Sequence, residues 1–120
     1  MISAKLMKQL EKKGFSLDFP SSRAEDAIIE ILKQNNERLK LAIPLLLTEE
    51  FDYSYLKNNL SEQQYNELNK IILITNEIFK KHGIYDRYLQ KLIKENSLKQ
   101  KFTDKELAYY SDSFSESLKN

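Results

Sequence analysis

Three groups of side chains in this chain could do chemistry. His82 is the sole histidine. Imidazole can move a proton or hold a metal, but an ordinary zinc site needs several nitrogen or sulfur ligands. With no cysteine and no second imidazole the chain cannot supply them, which leaves only carboxylate-rich metal sites open. His82 stands before Gly83, where a polar ring serves to satisfy the last carbonyls of a helix. Glu49, Glu50 and Asp52 crowd beside Phe51, Tyr53 and Tyr55. Paired carboxylates do acid–base work when burial drives their pKa values apart. Sequence neighbours point in different directions on a helix, however, and carboxylates at a helix start ordinarily complement its dipole. The third group is Arg87, Lys91 and Lys94, spaced by four and three so that they line one helix face. Such a row can grip phosphates, with Tyr85 and Tyr88 near enough to stack on bases. It can equally be a solvated face that balances an acidic middle of the chain.

No Gly-rich phosphate loop, Gly-x-Ser-x-Gly elbow or His-Glu-x-x-His pair is present. No residue is therefore assigned a catalytic, cofactor-binding or metal-binding role, and no cofactor and no enzymatic activity are expected. Charge says more. Residues 80–101 carry seven bases against two acids, whereas residues 14–79 carry eleven acids against six bases. The net charge of +1 thus hides a segregation of sign along the chain, although a pI near 7.8 is low for a dedicated nucleic-acid binder. Seven Tyr and six Phe supply apolar bodies, and the tyrosines add a polar tip, a combination favoured at interfaces. Tyr53, Tyr55, Tyr110 and Phe114 are the candidates for binding a protein partner or a second copy. Arg87, Lys91 and Lys94 are the candidates for nucleic acid, helped by Lys5, Lys8 and Lys99.

The elements that must position these groups follow from composition. The chain's 120 residues suit one domain with one core. Two glycines and two prolines are too few for an all-β chain, which needs a turn every 8–12 residues or so. The greasiest run, Leu41–Leu47, is too short to span a bilayer and is interrupted by Pro44. The opening Met1-Ile2-Ser3-Ala4-Lys5 has no apolar signal region, and nothing asks for disulfides, so a cytoplasmic location is expected with no membrane partner.

In order, Ile2–Lys13 reads as a helix ended by Gly14, and Phe15, Leu17 and Phe19 as an extended connector stopped by Pro20. Ser21 and Ser22 cap a helix whose apolar period runs through Ala27, Ile28, Ile31, Leu32, Asn35, Leu39 and Ala42. Pro44 predicts a kink or stop near Leu41–Ile43, with a new helix able to begin on it. Thr48, Glu49 and Glu50 start a short helix through Asn58. Ser61 and Gln64 form a capping box ahead of Glu62–Lys81, about 30 Å long. There Tyr65, Leu68, Ile72 and Phe79 make one stripe, and the run Ile71–Ile74 demands burial on several sides. Ile84–Gln100 is amphipathic, with Tyr85, Tyr88, Leu89, Leu92 and Ile93 on one face. A second capping box, Thr103 to Glu106, opens a last helix to about Leu118, striped by Leu107, Tyr110, Phe114 and Leu118.

Arg38-Leu39-Lys40-Leu41-Ala42-Ile43-Pro44-Leu45-Leu46-Leu47, followed by Asp52-Tyr53-Ser54-Tyr55-Leu56, shows the pattern Arg-x-x-x-Ala-[Ile/Leu]-Pro-x-Leu-Leu, a short gap, then Asp-Tyr-x-x-Leu. Residues 37–60 thereby resemble helical segments of small prokaryotic proteins associated with nucleotidyltransferase or toxin–antitoxin systems. The resemblance covers about a fifth of the chain and implies a regulatory or partner-binding protein, without catalytic residues to carry over.

The expectation is an all-α, single-domain irregular bundle of five or six helices over residues 1–120. Its core is Leu41, Ile43, Leu45, Leu46, Leu68, Ile71, Ile72, Ile74 and Phe79. The expected function is non-catalytic protein interaction or regulation, possible self-association included, with nucleic-acid binding as the alternative.

Overall fold

The computed structural model of the chain describes residues 23–118. The expected first helix, the Phe15–Phe19 connector and the Ser21–Ser22 cap lie outside the described residues. Among the described residues every regular element is a helix: α1 Ala24–Gln34, α2 Glu37–Lys40, α3 Ile43–Leu46, α4 Tyr53–Asn59, α5 Glu62–Lys81, α6 Arg87–Glu95 and α7 Asp104–Leu118. The molecule is an all-α bundle, and none of these helices is long and apolar enough to cross a membrane.

The bundle is built around α5, which packs against α1, α3, α6 and α7. Ser61 caps its start: the Ser61 hydroxyl accepts from the Gln64 N–H and the Gln64 side chain accepts from the Ser61 N–H, so two orphan donors are satisfied at once. Further along, Leu68, Ile71, Ile72, Ile74, Ile78 and Phe79 are all buried. Apolar residues run nearly all round this stretch, so it must be covered on several sides, and four helices cover it. Ile43, Leu45 and Leu46 of α3 are buried with them, so the two apolar runs meet in one core. Leu41 alone of the expected core stays at its edge, partly buried. Ala42 to Leu47 are interior packing in this fold.

Two stretches depart from the sequence reading. The apolar period through Ala42 suggests one helix as far as Ile43, but α1 stops at Gln34. Asn35 takes a left-handed conformation at φ 53°, and Asn36 then caps α2 by accepting from the N–H groups of Arg38 and Leu39. Asparagine tolerates that conformation and caps well, so the Asn-Asn pair breaks the helix before Pro44 can. Pro44 sits in the first turn of α3, where its missing N–H costs nothing. The helix expected from Thr48 begins instead at Tyr53. The Thr48 hydroxyl donates back to the Leu45 carbonyl, and Asp52 caps α4 by accepting from the Tyr55 N–H. Glu49 and Glu50 therefore precede the helix. The amphipathic Ile84–Gln100 stretch is helical only over α6, with Asp86 as its cap.

Candidate binding surface

The aromatic residues expected to contact a partner are mostly interior. Tyr53 is buried, its ring tilted on Tyr65, and its hydroxyl donates to the Asn69 carbonyl oxygen at 2.6 Å while lying 2.7 Å from the Tyr65 hydroxyl. Burial pushes the Tyr53 phenol well above its ordinary range, and Tyr65 adds to the shift. Tyr110 and Phe114 are buried between α7 and the rest of the bundle, Phe114 with its ring 5.7 Å from that of Phe79. Three of the four thus hold the fold together and leave no surface to offer. Tyr55 is half-exposed: its hydroxyl donates to Asp26 at 2.9 Å, and the Arg23 guanidinium sits 4.5 Å over its ring. The Asp26 bond holds the Tyr55 proton and pushes its pKa up.

Of the acidic cluster, Asp52 is engaged. Asp52 caps α4, and the Asp52 N–H donates to the Glu25 carboxylate at 2.7 Å, with Arg23 3.5 Å from that same group. The Asp52–Glu25 bond ties the loop before α4 to α1. Among the described residues no group of His, Asp and Glu is placed to hold a metal ion.

A chain of alternating charge crosses one side of α5. The Lys40 ammonium, almost wholly buried, reaches Asn35 at 2.8 Å, Glu37 at 3.0 Å and Glu67 at 3.6 Å. Glu67 meets Lys70 at 3.3 Å, and Lys70 meets Glu106 of α7 at 2.7 Å. Burial alone would lower the Lys70 pKa, but the Glu106 and Glu67 carboxylates override it and raise it; Lys70 in turn lowers Glu106. Two open hollows flank this row, about 550 Å³ and about 170 Å³, sharing Gln63 and Glu67. Small-molecule sites are mostly apolar and enclosed. These hollows are open and lined mostly by polar residues, and Lys40, Glu67 and Lys70 among them are already paired with one another or with Glu37 and Glu106. Lys40 was invisible to a reading by residue type, because lysine is ordinarily solvated. Asn69 left a signal: it is an uncharged polar side chain directly beside Leu68, two residues before the apolar run that starts at Ile71.

The surface with unused binding capacity lies where α5 passes into α6. Gly83, at φ 69°, turns the chain, its N–H donating to Lys80 and the Ile84 N–H donating to Phe79 at 2.8 Å. That double closure fixes the corner. Next to it Tyr85 is 72% exposed, and Ile84 and Tyr88 are each 37% exposed. Tyr88 is partly anchored, since its hydroxyl donates to the Phe51 carbonyl and its ring meets that of Phe51 edge-on. Burial, then the carboxylates of Asp52, Glu50 and Glu25, raise the Tyr88 pKa. Arg87, Lys91 and Lys94 are all exposed on α6, and Lys91 lies 3.7 Å from Glu95. Tyr85, read as sharing one face of an Ile84–Gln100 helix with Tyr88, Leu89, Leu92 and Ile93, precedes the cap residue Asp86 and so never joins that face. His82 closes α5 and lies 3.1 Å from the Ser115 hydroxyl of α7. Its ring packs on Phe114, so it serves as a junction between the two helices.

No protein-family model matches this chain, and no curated protein or solved structure is similar enough to match it.

Proposed function

We propose that this chain is a non-catalytic helical interaction protein that binds a protein partner through the α5–α6 corner. The observation that carries the reading is Tyr85, 72% exposed on a turn pinned by two backbone hydrogen bonds, with Ile84 and Tyr88 beside it. A tyrosine held out to solvent on a rigid support buries a large area on binding at low entropic cost. Arg87 adds a residue type enriched at interface centres. The resemblance of residues 37–60 to helical segments of small prokaryotic proteins associated with nucleotidyltransferase or toxin–antitoxin systems suggests a partner-binding protein as well, and a regulatory role in the cytoplasm is part of the proposal.

Nucleic-acid binding is the second reading, favoured by the exposure of Arg87, Lys91 and Lys94 on one short helix. Of its helpers, Lys5 and Lys8 lie outside the described residues, and Lys99 is exposed. Against it stand Asp86 and Glu95 on the same helix, and the carboxylates that act on Tyr88; all would repel phosphates. The test is capture of partners from the native cell by the chain and by its Tyr85→Ala variant, alongside DNA and RNA titrations at several salt concentrations. The proposal expects a protein recovered repeatedly by the first and lost with the second. Binding to nucleic acid that weakens steeply with salt and vanishes in Arg87→Glu/Lys91→Glu would replace it with the second reading.

A further inference from the structure

The two hollows beside the charged row of α5 include no residue of the α5–α6 corner. The larger, about 550 Å³, lies between one edge of α5, from Glu62 to Lys70, and Gln100 and Lys101 of the segment that joins α6 to α7. Its two walls match in length. Glu62 to Lys70 covers about 12 Å at the helical rise, and residues 99–102 cover about 13 Å at the rise of a strand.

The second wall is held at both ends. At one, α6 closes on Ser97, at φ 50°, and the Leu98 N–H donates to the Ile93 carbonyl at 3.1 Å. At the other, the Thr103 hydroxyl caps α7 by accepting from the Glu106 N–H at 3.0 Å. Leu98 and Phe102 are partly buried against the core. Between these anchors the chain makes no turn or bend, and among the described residues the N–H groups of Gln100, Lys101 and Phe102 make no hydrogen bond. A fixed, unbent segment with unused main-chain groups is an edge on which another extended chain can pair.

Carboxamides line both hollows. Asn35, Gln64 and Gln100 have their oxygens engaged by the Lys40 ammonium, the Ser61 N–H and the Lys99 N–H, so each group is oriented and keeps N–H donors to spare. Gln63 and Asn66 are exposed, and neither side chain has a hydrogen-bond partner among the described residues. A carboxamide offers the same donor and acceptor as a peptide group and so pairs with one. Charge gives no preference for either sign, since Glu62 and Glu67 stand against Lys70 and Lys101. A partner helix has its main-chain groups bonded within itself, and a polyanion would meet the two acids. An extended main chain brings the groups that the groove lacks.

We propose that this groove takes an uncharged, extended segment of a partner protein, whose main chain pairs with residues 99–102 on one side and with the carboxamides of Gln63 and Asn66 on the other. It is a second surface, independent of the corner.

The experiment titrates the isotope-labelled full chain with two capped tetrapeptides. The first is Thr-Val-Thr-Val, whose residues favour the extended form. The second is the same peptide N-methylated at both valines, which deletes main-chain donors and keeps every side chain. Backbone amides and side-chain NH2 signals report the binding. The first peptide should shift Gln100, Lys101, Phe102 and the side-chain signals of Gln63 and Asn66, with a Kd of about 1 mM. The methylated peptide should bind about tenfold more weakly, for two main-chain bonds lost. Gln63→Ala/Asn66→Ala should lose about fivefold while keeping its fold, because both side chains are exposed. Tyr85→Ala should bind the first peptide as the parent does. Equal affinity for the two peptides, shifts confined to the corner, or no shifts at about 10 mM peptide would each overturn the proposal. None of these results bears on the corner, which partner capture with Tyr85→Ala tests separately.

Discussion

Replacing Tyr53 by Phe tests a buried polar cluster that links α4 to α5. The substitution keeps the ring and its volume, so packing against Tyr65 is preserved and no cavity opens. What goes is the hydroxyl. Asn69 is 1% exposed, shut off from solvent, and its carbonyl oxygen accepts from Tyr53 at 2.6 Å. A hydroxyl carries one proton, so the 2.7 Å contact with Tyr65 requires Tyr65 to donate; being half-exposed, it can take water instead. The loss is therefore dominated by one unsatisfied buried acceptor, about 1–3 kcal/mol. For a chain of this size each kcal/mol moves the melting temperature by about 4 °C, so a fall of about 4–12 °C is expected by circular dichroism at the helix band. Asn69→Leu removes the stranded acceptor. The double variant Tyr53→Phe/Asn69→Leu should accordingly be more stable than the sum of the singles predicts, by about 1 kcal/mol. A Tyr53→Phe chain that melts with the parent, or strictly additive singles, would refute the assignment.

Three further outcomes follow from other parts of the fold. Glu106 has its pKa lowered by the Lys70 hydrogen bond, with burial opposing and the Thr103 backbone assisting. Its stabilisation is thus present above the ordinary value of 4.5 and lost as pH falls through the lower folded value; urea midpoints should drop less on acidification in Glu106→Gln than in the parent, and parallel acid limbs would contradict this. A Cβ added at Gly83 would meet nothing within 4 Å, but the residue sits at φ +69°, so Gly83→Ala should cost about 1–2 kcal/mol in backbone strain and Gly83→Asn less, measured by denaturant unfolding. Leu46, fully buried, should cost about 2–5 kcal/mol as Leu46→Ala, whereas Tyr85→Ala should leave stability within about 0.5 kcal/mol of the parent in the same assay.

The parts of this fold that were legible in the sequence are those decided within a few residues. Both capping boxes, Ser61 with Gln64 and Thr103 with Glu106, form as read, because each is a closed exchange between side chain and backbone three residues apart. With them come the bounds of α5 and the start of α7. Ile71, Ile72 and Ile74 of the apolar run are buried and Leu73 is half-buried, because a helix with apolar residues nearly all round has no other stable place. The breaks at Asn35 and Thr48 were decided by competition. The apolar period continues through Asn35 to Ala42, but the Asn-Asn pair offers a left-handed exit and a fresh cap together. Glu49 and Glu50 suit a first turn, but Asp52 caps directly and Thr48 closes the preceding helix instead.

The binding surface was harder to read for a different reason. Residue type says what a side chain can do at an interface, and the same property makes it useful in a core. Tyr53, Tyr110 and Phe114 suit an interface by their aromatic character, and that character is what packs them inside. Tyr85 and Tyr88 stand three apart and look equivalent on a helix face. They part company because α6 begins only after Asp86, so Tyr88 folds down onto Phe51 while Tyr85 stays on the turn. Leu118 continues the stripe of Tyr110 and Phe114 in sequence, yet it is 52% exposed while the polar Ser117 beside it is buried. Which residues of a helix end are covered depends on what lies beside that end in space, and no local pattern in the helix encodes it.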